Sequence, residues 1–356
     1  MTISKITENT ANRFRRGLYS WTAGHPREMP WKGEKDPYKV WLSEIILQQT
    51  RVEQGMPYFN RFIKRFPDVH ALAKSSIKQV LKQWEGLGYY SRARNLHATA
   101  QWIIRSKDSR FPDDYPSILE MKGVGPYTAA AIASFAFDLP HAVLDGNVHR
   151  VLSRYFGIDQ TMETRAGKII FETLADRLLD RKNPALFNQA IMDFGALCCT
   201  PKNPDCGSCH LNKHCFAFKN DHIDQLPPSK KNKPKRTRHF HYFVLVDPGG
   251  QVVITRRPEG DVWPGLYEFP KMETGGPQAP KARLPGLDLP PRVKTGKPVL
   301  IDKQILSHQV VHGYFYLVWI PGSIKNQITL PVNKLNQFPM PGILARSRKF
   351  WMELLM

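Results

Sequence analysis

The change in hydrophobic rhythm between residues 225 and 239 constrains the fold of this chain more than any other feature. Before it, apolar residues recur at helical intervals, in segments 37–49, 77–84, 92–105, 128–137, 148–156 and 166–179. After it, apolar and polar residues alternate as in strands, in segments 240–246, 251–255 and 313–319. We therefore predict an α+β multidomain chain, with an all-α region at 1–225 and a strand-rich α/β domain at 239–356.

The stretch that joins these regions has a composition of its own. Residues 226–238 carry six positive charges and no apolar residue after Leu226, which predicts an extended basic linker. Further on, the span 274–298 is rich in proline and glycine and predicts a long loop. Residues 346–355 are expected to form a closing helix.

The charge balance is strongly basic. Of 356 residues, 51 are Lys or Arg and 31 are Asp or Glu, which gives a net charge of +20. Such an excess favours a polyanionic partner. Nucleic acid is the leading candidate, and a membrane surface is the alternative. The sequence contains no apolar run of about eighteen residues to span a bilayer and no apolar stretch of a secretory signal at its start. We expect a cytoplasmic protein with no membrane partner.

Four of the five cysteines form the compact series Cys199-x6-Cys206-x2-Cys209-x5-Cys215. Four thiols so close together in a basic chain indicate a metal centre rather than a disulfide framework. The asymmetric spacing departs from the paired knuckles of zinc ribbons and suits an iron–sulfur cluster held by cysteines alone. A structural zinc site stays open as the alternative. Cys198, outside the series, is expected to pack as a small apolar side chain.

A second motif is Gly123-Val124-Gly125-Pro126. Its glycines can end one helix and allow a tight turn, and Pro126 can open the next helix at its first position. Such a hairpin presents unpaired backbone N–H groups, which form a seat for a phosphate. A plain turn between two helices is the alternative.

Together these motifs resemble the helix-hairpin-helix DNA glycosylase superfamily that includes endonuclease III. Within it, the segments Trp41–Thr50, Gly86–Leu96 and Leu144–Val148 are similar to the MutY branch, adenine DNA glycosylases that act on adenine opposite 8-oxoguanine. The resemblance implies an all-α glycosylase core with a 4Fe–4S cluster loop at 199–215. It also implies a monomer that binds duplex DNA containing adenine opposite 8-oxoguanine or guanine. When bound to DNA, this monomer would be associated with the nucleoid.

Two carboxylates fit the chemistry of such an enzyme. Glu44 has the apolar neighbours Trp41 and Leu47 one helical turn away, so its pKa should be raised and it can hold a proton near neutrality. Asp145 precedes a helix that begins near Asn147, where an aspartate also serves as an N-cap. An exposed glutamate and a simple cap are the alternatives.

The resemblance implies a role for each of these groups. The family glutamate matching Glu44 is the general acid and helps to activate water, and the aspartate matching Asp145 stabilises an oxocarbenium-like transition state. Related bifunctional enzymes carry a lysine where this chain has Tyr127, and a tyrosine cannot form their Schiff base. Hydrolysis without strand cleavage is therefore expected. Tyr127 and Asn147 are expected to line the base pocket.

The resemblance also implies a set of DNA contacts. The family's intercalating loop matches Gln48 and Gln49, and its wedge beside 8-oxoguanine matches Tyr89. Arg92 and Arg94 are expected to contact phosphates, with solvated surface charge as the alternative. Gly123 and Gly125 supply the hairpin.

The C-terminal 118 residues resemble the MutT-like, Nudix-related domain of MutY proteins through Trp263–Pro270. A catalytic Nudix domain continues with a helix that bears several glutamates, whereas this chain continues Lys271-Met272-Glu273-Thr274-Gly275-Gly276-Pro277, so that acidic helix is missing. We therefore expect this domain to recognise the lesion rather than to hydrolyse nucleotides. Leu306-Ser307-His308 matches the family's Phe-Ser-His recognition turn, with leucine in place of the aromatic residue.

Two other classes of function stay open. One is a bifunctional, endonuclease III-like glycosylase and lyase for oxidised pyrimidines, which Tyr127 and the C-terminal domain oppose. The other is a non-catalytic iron–sulfur DNA-binding protein, which the pairing of Glu44 with Asp145 opposes.

Overall fold

A computed structural model describes residues 6–106, 109–228, 234–280, 296–322 and 327–355. The chain divides into two compact units, Met1–Lys74 with Asn95–Lys231, and Ser75–Arg94 with Asn232–Met356. The predicted single boundary between 225 and 239 therefore misses one feature, since Ser75–Arg94 packs with the C-terminal part. No helix in the described residues is long and apolar enough to cross a membrane.

The described residues of the first unit form helices joined by turns and loops. Its helices, with α6 beginning in the second unit, are α1 (Glu8–Gly24), α2 (Pro37–Leu47), α3 (Val52–Arg65), α4 (Val69–Lys74), α6 (Ser91–Ser106), α7 (Tyr115–Leu119), α8 (Pro126–Phe137), α9 (Gly146–Phe156), α10 (Arg165–Leu178), α11 (Pro184–Leu197) and α12 (Phe216–Lys219). Buried side chains of α1, α9, α10 and α11, among them Phe14, Leu152, Phe171 and Phe194, form one core cluster. The predicted helical segments in this unit are confirmed to within a few residues at each end.

The predicted glycine hairpin lies between α7 and α8. Gly123 has φ +86°, and a Cβ atom there would lie 2.9 Å from the side-chain amide nitrogen of Asn95. Gly125 is the N-cap of α8, and Pro126 is the first residue of that helix. A larger residue at 123 would meet both an unfavourable backbone conformation and a steric clash, so the tight turn is confirmed.

The second unit is built on a seven-stranded mixed sheet. Its elements are α5 (Ile77–Gln83), β1 (Arg236–Val246), β2 (Gln251–Arg256), β3 (Tyr267–Glu268), β4 (Lys271–Thr274), β5 (Leu300–Ile305), β6 (Gln309–Trp319), β7 (Ile328–Pro331), α13 (Gly342–Ala345) and α14 (Arg348–Leu355). The order is β3-β2-β1-β6-β5, with β4 paired to β1 and β7 to β2. The two longest strands, β1 and β6, are parallel, and the other pairings are antiparallel.

Two sequence predictions for this unit need adjustment. Strand β1 begins at Arg236, so the last residues of the predicted linker are part of the sheet, and residues 229–233 lie outside the described part. The predicted loop 274–298 starts directly after β4, and its residues 281–295 also lie outside the described part. The strand begins early because Arg236–Val246 pairs residue by residue with the whole of β6.

Charged side chains before, within and after the predicted Nudix-like segment Trp263–Pro270 are paired with one another. Arg238 contacts Asp261 at 2.6 Å and Glu273 at 2.5 Å, and Arg257 contacts Asp261 at 2.7 Å and also Glu268. Where a catalytic Nudix domain continues into an acidic helix, this chain continues into the strand β4. These three carboxylates, Asp261, Glu268 and Glu273, are thus paired with arginines of the same unit.

Candidate active site

Three helices bring the predicted catalytic residues to one cavity of about 410 Å³. Glu44 comes from α2, Tyr127 from the first turn of α8, and Asp145 and Asn147 from the start of α9. All four side chains line this cavity. Residues that are up to 103 positions apart in the sequence therefore meet at one site.

Glu44 is a buried carboxyl group, 6% exposed. It is poorly hydrated because every residue of α2 from Val40 to Ile46 is buried. Burial raises the pKa of Glu44 to about 7, the Asp145 charge adds to the rise, and a hydrogen bond with Tyr127 opposes it. The predicted helical position and raised pKa are confirmed.

Asp145 is the N-cap of α9, as predicted. One carboxylate oxygen accepts a hydrogen bond from the Val148 backbone N–H at 2.7 Å, and the other accepts one from the Asn147 side-chain amide at 2.9 Å. Burial raises the pKa of Asp145, while these hydrogen bonds lower it. An exposed capping aspartate would keep an ordinary pKa. Because Asp145 is buried in the cavity wall, its pKa is raised.

Tyr127 is partly buried and stays protonated. Burial, together with Glu44 and Asp145, raises its pKa well above the ordinary value of 10. Its hydroxyl lies 3.4 Å from the Met192 sulfur. Tyr127 can therefore donate a hydrogen bond in the cavity but supplies no amine.

Arg150 holds the cavity residue Asn147 in place, although the sequence analysis does not single Arg150 out. Its guanidinium donates to the Asn147 side-chain oxygen at 3.0 Å, to the Gly195 carbonyl at 2.6 Å and to the Cys199 carbonyl at 2.7 Å. Arg150 follows Asn147 by three residues on the same helix, a spacing at which side chains can contact each other, and this was the available sequence signal. Arg150 connects the start of α9 with the cysteine-bearing loop.

The segment before α2 forms another wall of the cavity. Asp193, 1% exposed in its side chain, is paired with Arg27 at 3.3 Å and with Lys32 at 3.1 Å, and all three residues line the cavity. Nothing in the local pattern around these residues predicts the contact, because it joins chain segments about 160 residues apart.

The predicted intercalating residues lie where α2 ends. Gln48 is the C-cap of that helix, and its amide donates to the Thr128 hydroxyl at 3.1 Å. Gln49 is exposed and has a left-handed backbone, with φ +56°. Their contact with DNA stays a prediction.

Five further predicted DNA contacts lie in the second unit, namely Tyr89, Arg92, Arg94, Ser307 and His308. Tyr89 is 45% exposed, and its hydroxyl is hydrogen-bonded to the Ser307 hydroxyl. Ser307 and His308 are exposed in the turn between β5 and β6, as a recognition turn requires. The phosphate contacts predicted for Arg92 and Arg94 remain untested, and each arginine has an internal contact.

The two arginines are held by backbone carbonyls. Arg92 is buried and donates to the Gly88 carbonyl at 3.3 Å, and its guanidinium lies 5.1 Å from the Trp84 ring centroid. Arg94 donates to the Pro264 carbonyl at 2.9 Å. Desolvation lowers the pKa of Arg92 to about 10. In this conformation Arg92 packs inside the unit and does not present an exposed charge.

The cysteine series folds around a second, smaller cavity. It is lined by Cys199, Cys206, Cys209 and Cys215, together with Cys198. Cys198 is 3% exposed and part of the core, as predicted. The Arg154 guanidinium lies 3.5 Å from the Cys199 sulfur, and the Leu211 backbone N–H lies 3.4 Å from the Cys209 sulfur. Donors of this kind stabilise thiolates.

The fit of these cysteines to a metal depends on the kind of centre. Among the described residues, no three His, Cys, Asp or Glu side chains are grouped so as to hold a metal ion. The four cysteines nevertheless line one cavity, which suits a polynuclear cluster in which each thiolate binds its own iron.

Comparison with known proteins identifies the class to which this fold and site belong. Residues 42–174 match the family model of the HhH-GPD superfamily base excision DNA repair proteins, and residues 241–347 match that of the NUDIX domain. A thermostable thymine-DNA glycosylase has a similar structure, with a TM-score of 0.55 and 28% identity over 59% of this chain and 96% of that chain. The molecule is thus a base excision repair glycosylase with a Nudix-like C-terminal domain, which confirms the predicted fold class.

Sequence relatives specify the family. The chain is 38% identical over 248 residues to the adenine DNA glycosylase of Buchnera aphidicola subsp. Schizaphis graminum, covering 70% of this chain and 71% of that protein. It is 32% identical over 320 residues to the human adenine DNA glycosylase, covering 75% of this chain and 58% of that protein. This chain belongs to the adenine DNA glycosylase family.

Proposed function

We propose that this protein, acting as a monomer on duplex DNA, hydrolyses the N-glycosidic bond of adenine mispaired with 8-oxoguanine or guanine. The product is an abasic site in an intact strand. The observation that carries the proposal is the buried Glu44, whose pKa of about 7 keeps a proton available beside Asp145 and Tyr127 in one cavity.

Glu44 supplies the proton. Adenine is a poor leaving group until one of its ring nitrogens is protonated, and an acid with a pKa near the working pH suits that transfer. The adenine must first leave the base stack to reach the cavity. Once Glu44 has lost its proton, its carboxylate can accept a proton from the attacking water.

Asp145 supports the charge that develops on the sugar. Cleavage of an N-glycosidic bond passes through an oxocarbenium-like state, as glycoside hydrolysis does, and a fixed carboxylate stabilises it. The hydrogen bonds from Val148 and Asn147 hold Asp145 in place. Arg150 in turn holds Asn147.

Tyr127 favours hydrolysis over strand cleavage. A lyase reaction needs an amine that attacks the sugar carbon to form a Schiff base, and the phenol at this position cannot form an imine. This argues against the bifunctional alternative for oxidised pyrimidines.

Recognition of the mispair is proposed for residues 239–356, with Ser307 and His308 at the exposed turn reading the edge of 8-oxoguanine. Base-edge contacts confer specificity, whereas phosphate contacts position the duplex. The hairpin glycines Gly123 and Gly125, the intercalating Gln48 and Gln49, and the net charge of +20 support binding to DNA.

Cys199, Cys206, Cys209 and Cys215 are proposed to hold a 4Fe–4S cluster. The geometry around their common cavity supports four thiolates on one cluster. When all four irons have cysteine ligands, no position is open to a substrate, so the cluster serves the structure of the loop rather than the hydrolysis.

The test is an excision assay. Duplexes with adenine opposite 8-oxoguanine, guanine or thymine are incubated with excess protein and resolved with and without alkali. We expect alkali-dependent breaks at adenine opposite 8-oxoguanine and guanine. Strand breaks without alkali, with a borohydride-trapped complex, would support the lyase alternative. Binding without any excision would support a non-catalytic protein.

A further inference from the structure

The segment Ser75–Arg94 packs in the second unit, although the residues on both sides of it in the sequence belong to the first unit. It carries α5 and then a turn in which Gly86, Gly88 and Tyr89 have φ of +93°, +82° and +48°. Left-handed backbone at a tyrosine is unfavourable, so contacts with the surrounding structure must hold this turn in place.

Glu85 makes the main contact between the segment and the C-terminal fold. Its carboxylate accepts hydrogen bonds from both terminal nitrogens of the Arg348 guanidinium, from the Met340 backbone N–H at 2.7 Å and from Lys82 at 2.6 Å. The side chains of Glu85 and Arg348 are only 12% and 13% exposed. Paired arginine–carboxylate hydrogen bonds of this kind are strong and fix orientation.

Further contacts secure the segment near Tyr89. Tyr90 is 4% exposed, and its hydroxyl donates to the Met340 carbonyl at 3.3 Å and accepts from the Gly86 backbone N–H at 3.1 Å. Arg348 also donates to the Phe338 carbonyl at 2.7 Å, and the Lys78 ammonium lies 3.4 Å from the Phe338 ring centroid. The turn is thus anchored on both sides of Tyr89, which is itself exposed and bonded to Ser307.

We propose that Glu85 and Arg348 are positioning residues that hold the Tyr89 turn against the C-terminal fold. Tyr89 and the Leu306-Ser307-His308 turn then act as a single lesion-reading surface. This inference rests on the proposed function, because it specifies how that function distinguishes 8-oxoguanine from guanine.

Loss of either partner should release the turn. The remaining side chain would keep its other partners, Lys82 and the Met340 N–H for Glu85 or the Phe338 carbonyl for Arg348. It would lose the paired hydrogen bonds of a largely buried contact, which is unfavourable, and the strained turn would lose that support. The preference for adenine opposite 8-oxoguanine over adenine opposite guanine should then fall on the order of tenfold, the effect expected for a lost charged hydrogen bond. Excision at saturating protein should stay close to wild type, since Glu44 and Asp145 belong to the other unit.

The variants are Glu85→Gln, Arg348→Gln and the double variant, all in the full-length protein. If the residues act as a pair, the double variant should lose no more than the larger single loss. Arg348→Lys keeps the positive charge but loses the bidentate hydrogen bonding, so its loss of preference should lie between those of wild type and Arg348→Gln. Glu353→Gln is the matched control, because Glu353 pairs with Lys349 on the same helix α14 but both side chains are exposed.

The first measurement is amide hydrogen exchange of residues 84–91 without DNA. Faster exchange in the Glu85 and Arg348 variants, and not in Glu353→Gln, is expected. The second is the ratio of excision rates for the two mispairs, at limiting and at saturating protein. We expect this ratio to fall at limiting protein, while the excision rate at saturating protein stays at the wild-type value.

Unchanged exchange would overturn the anchoring role. Faster exchange with an unchanged ratio would also overturn the proposal, because the pair would then be merely structural. A wild-type protein that excises no adenine would refute the proposed function, and the exchange result would still decide whether the pair holds the turn.

Discussion

Replacing Glu44 with glutamine should abolish excision and stabilise the protein at neutral pH. Glutamine keeps nearly the same volume but cannot donate the proton, so excision should fall by roughly 100-fold or more while binding to a mispaired duplex is retained. The stabilisation follows from the cost of ionising a carboxyl group that is 6% exposed.

The magnitude comes from the pKa of Glu44. Burial raises it from 4.5 to about 7, so the unfolded chain ionises at lower pH than the folded one. Below pH 4.5 both states hold the proton, and stability falls as the pH rises from there to about 7. At roughly 1.4 kcal/mol per pH unit, the full loss is about 3 kcal/mol, and most of it falls between pH 5 and 8.

Glu44→Gln does not titrate, so its stability advantage over wild type should grow by about 2 kcal/mol or more from pH 5 to pH 8. For a unit of this size, that growth corresponds to a shift of roughly 5 °C in the melting temperature. Thermal melting of both proteins at the two pH values measures it. Glu53→Gln, an exposed change on α3, is the control.

Two results would refute this reasoning. One is single-turnover excision by Glu44→Gln at the wild-type rate, which would remove Glu44 from the mechanism. The other is a melting difference that does not change with pH, which would show that the carboxyl is not held protonated by burial.

Wild-type excision should also slow as the pH rises above about 7, the pKa of Glu44.

Three further outcomes are expected. Asp145→Asn should lower the single-turnover rate on the order of 100-fold but change the melting temperature little, because asparagine caps helices as well as aspartate does; an unchanged rate would leave Asp145 as a cap alone. Protein purified without oxygen should be brown, with about four irons and four acid-labile sulfides per chain; a colourless preparation with one zinc and no sulfide would establish the zinc alternative. Ser307→Ala combined with His308→Ala should reduce the preference for 8-oxoguanine over guanine, measured as a ratio of excision rates, with the salt dependence of non-specific binding unchanged; a retained preference would move lesion recognition to the catalytic unit.

Local pattern predicts much of the secondary structure of this protein. The helical rhythm at 77–84 and 166–179 corresponds to α5 and α10, and the alternation at 251–255 corresponds to β2. Helix α3 was not apparent because Pro57 lies in its interior, where proline normally interrupts a helix. The hairpin glycines and the N-cap Asp145 were predictable because turn and cap chemistry depends on residues close together in sequence.

The pKa of Glu44 was also predictable in direction, since its neighbours on α2 are apolar and a carboxyl among them loses hydration. The family resemblance indicated Tyr127 and Asn147 for the same site. The sequence did not indicate Arg150 or Asp193, whose partners include residues 49 and 166 positions away. Surface arginines are the usual expectation, and the burial of Arg92 departs from it through packing on Trp84.

The tertiary structure alone decided where Ser75–Arg94 belongs. Glu85 and Arg348 are 263 residues apart, and no periodicity around either residue distinguishes this pair from a solvated one. The helical pattern of the segment depends on contacts within a few residues, whereas its docking depends on a carboxylate meeting a guanidinium and a backbone N–H of a distant chain region. Local pattern therefore determines most of the elements of this protein, whereas long-range pairing of buried polar groups decides where the segment Ser75–Arg94 docks.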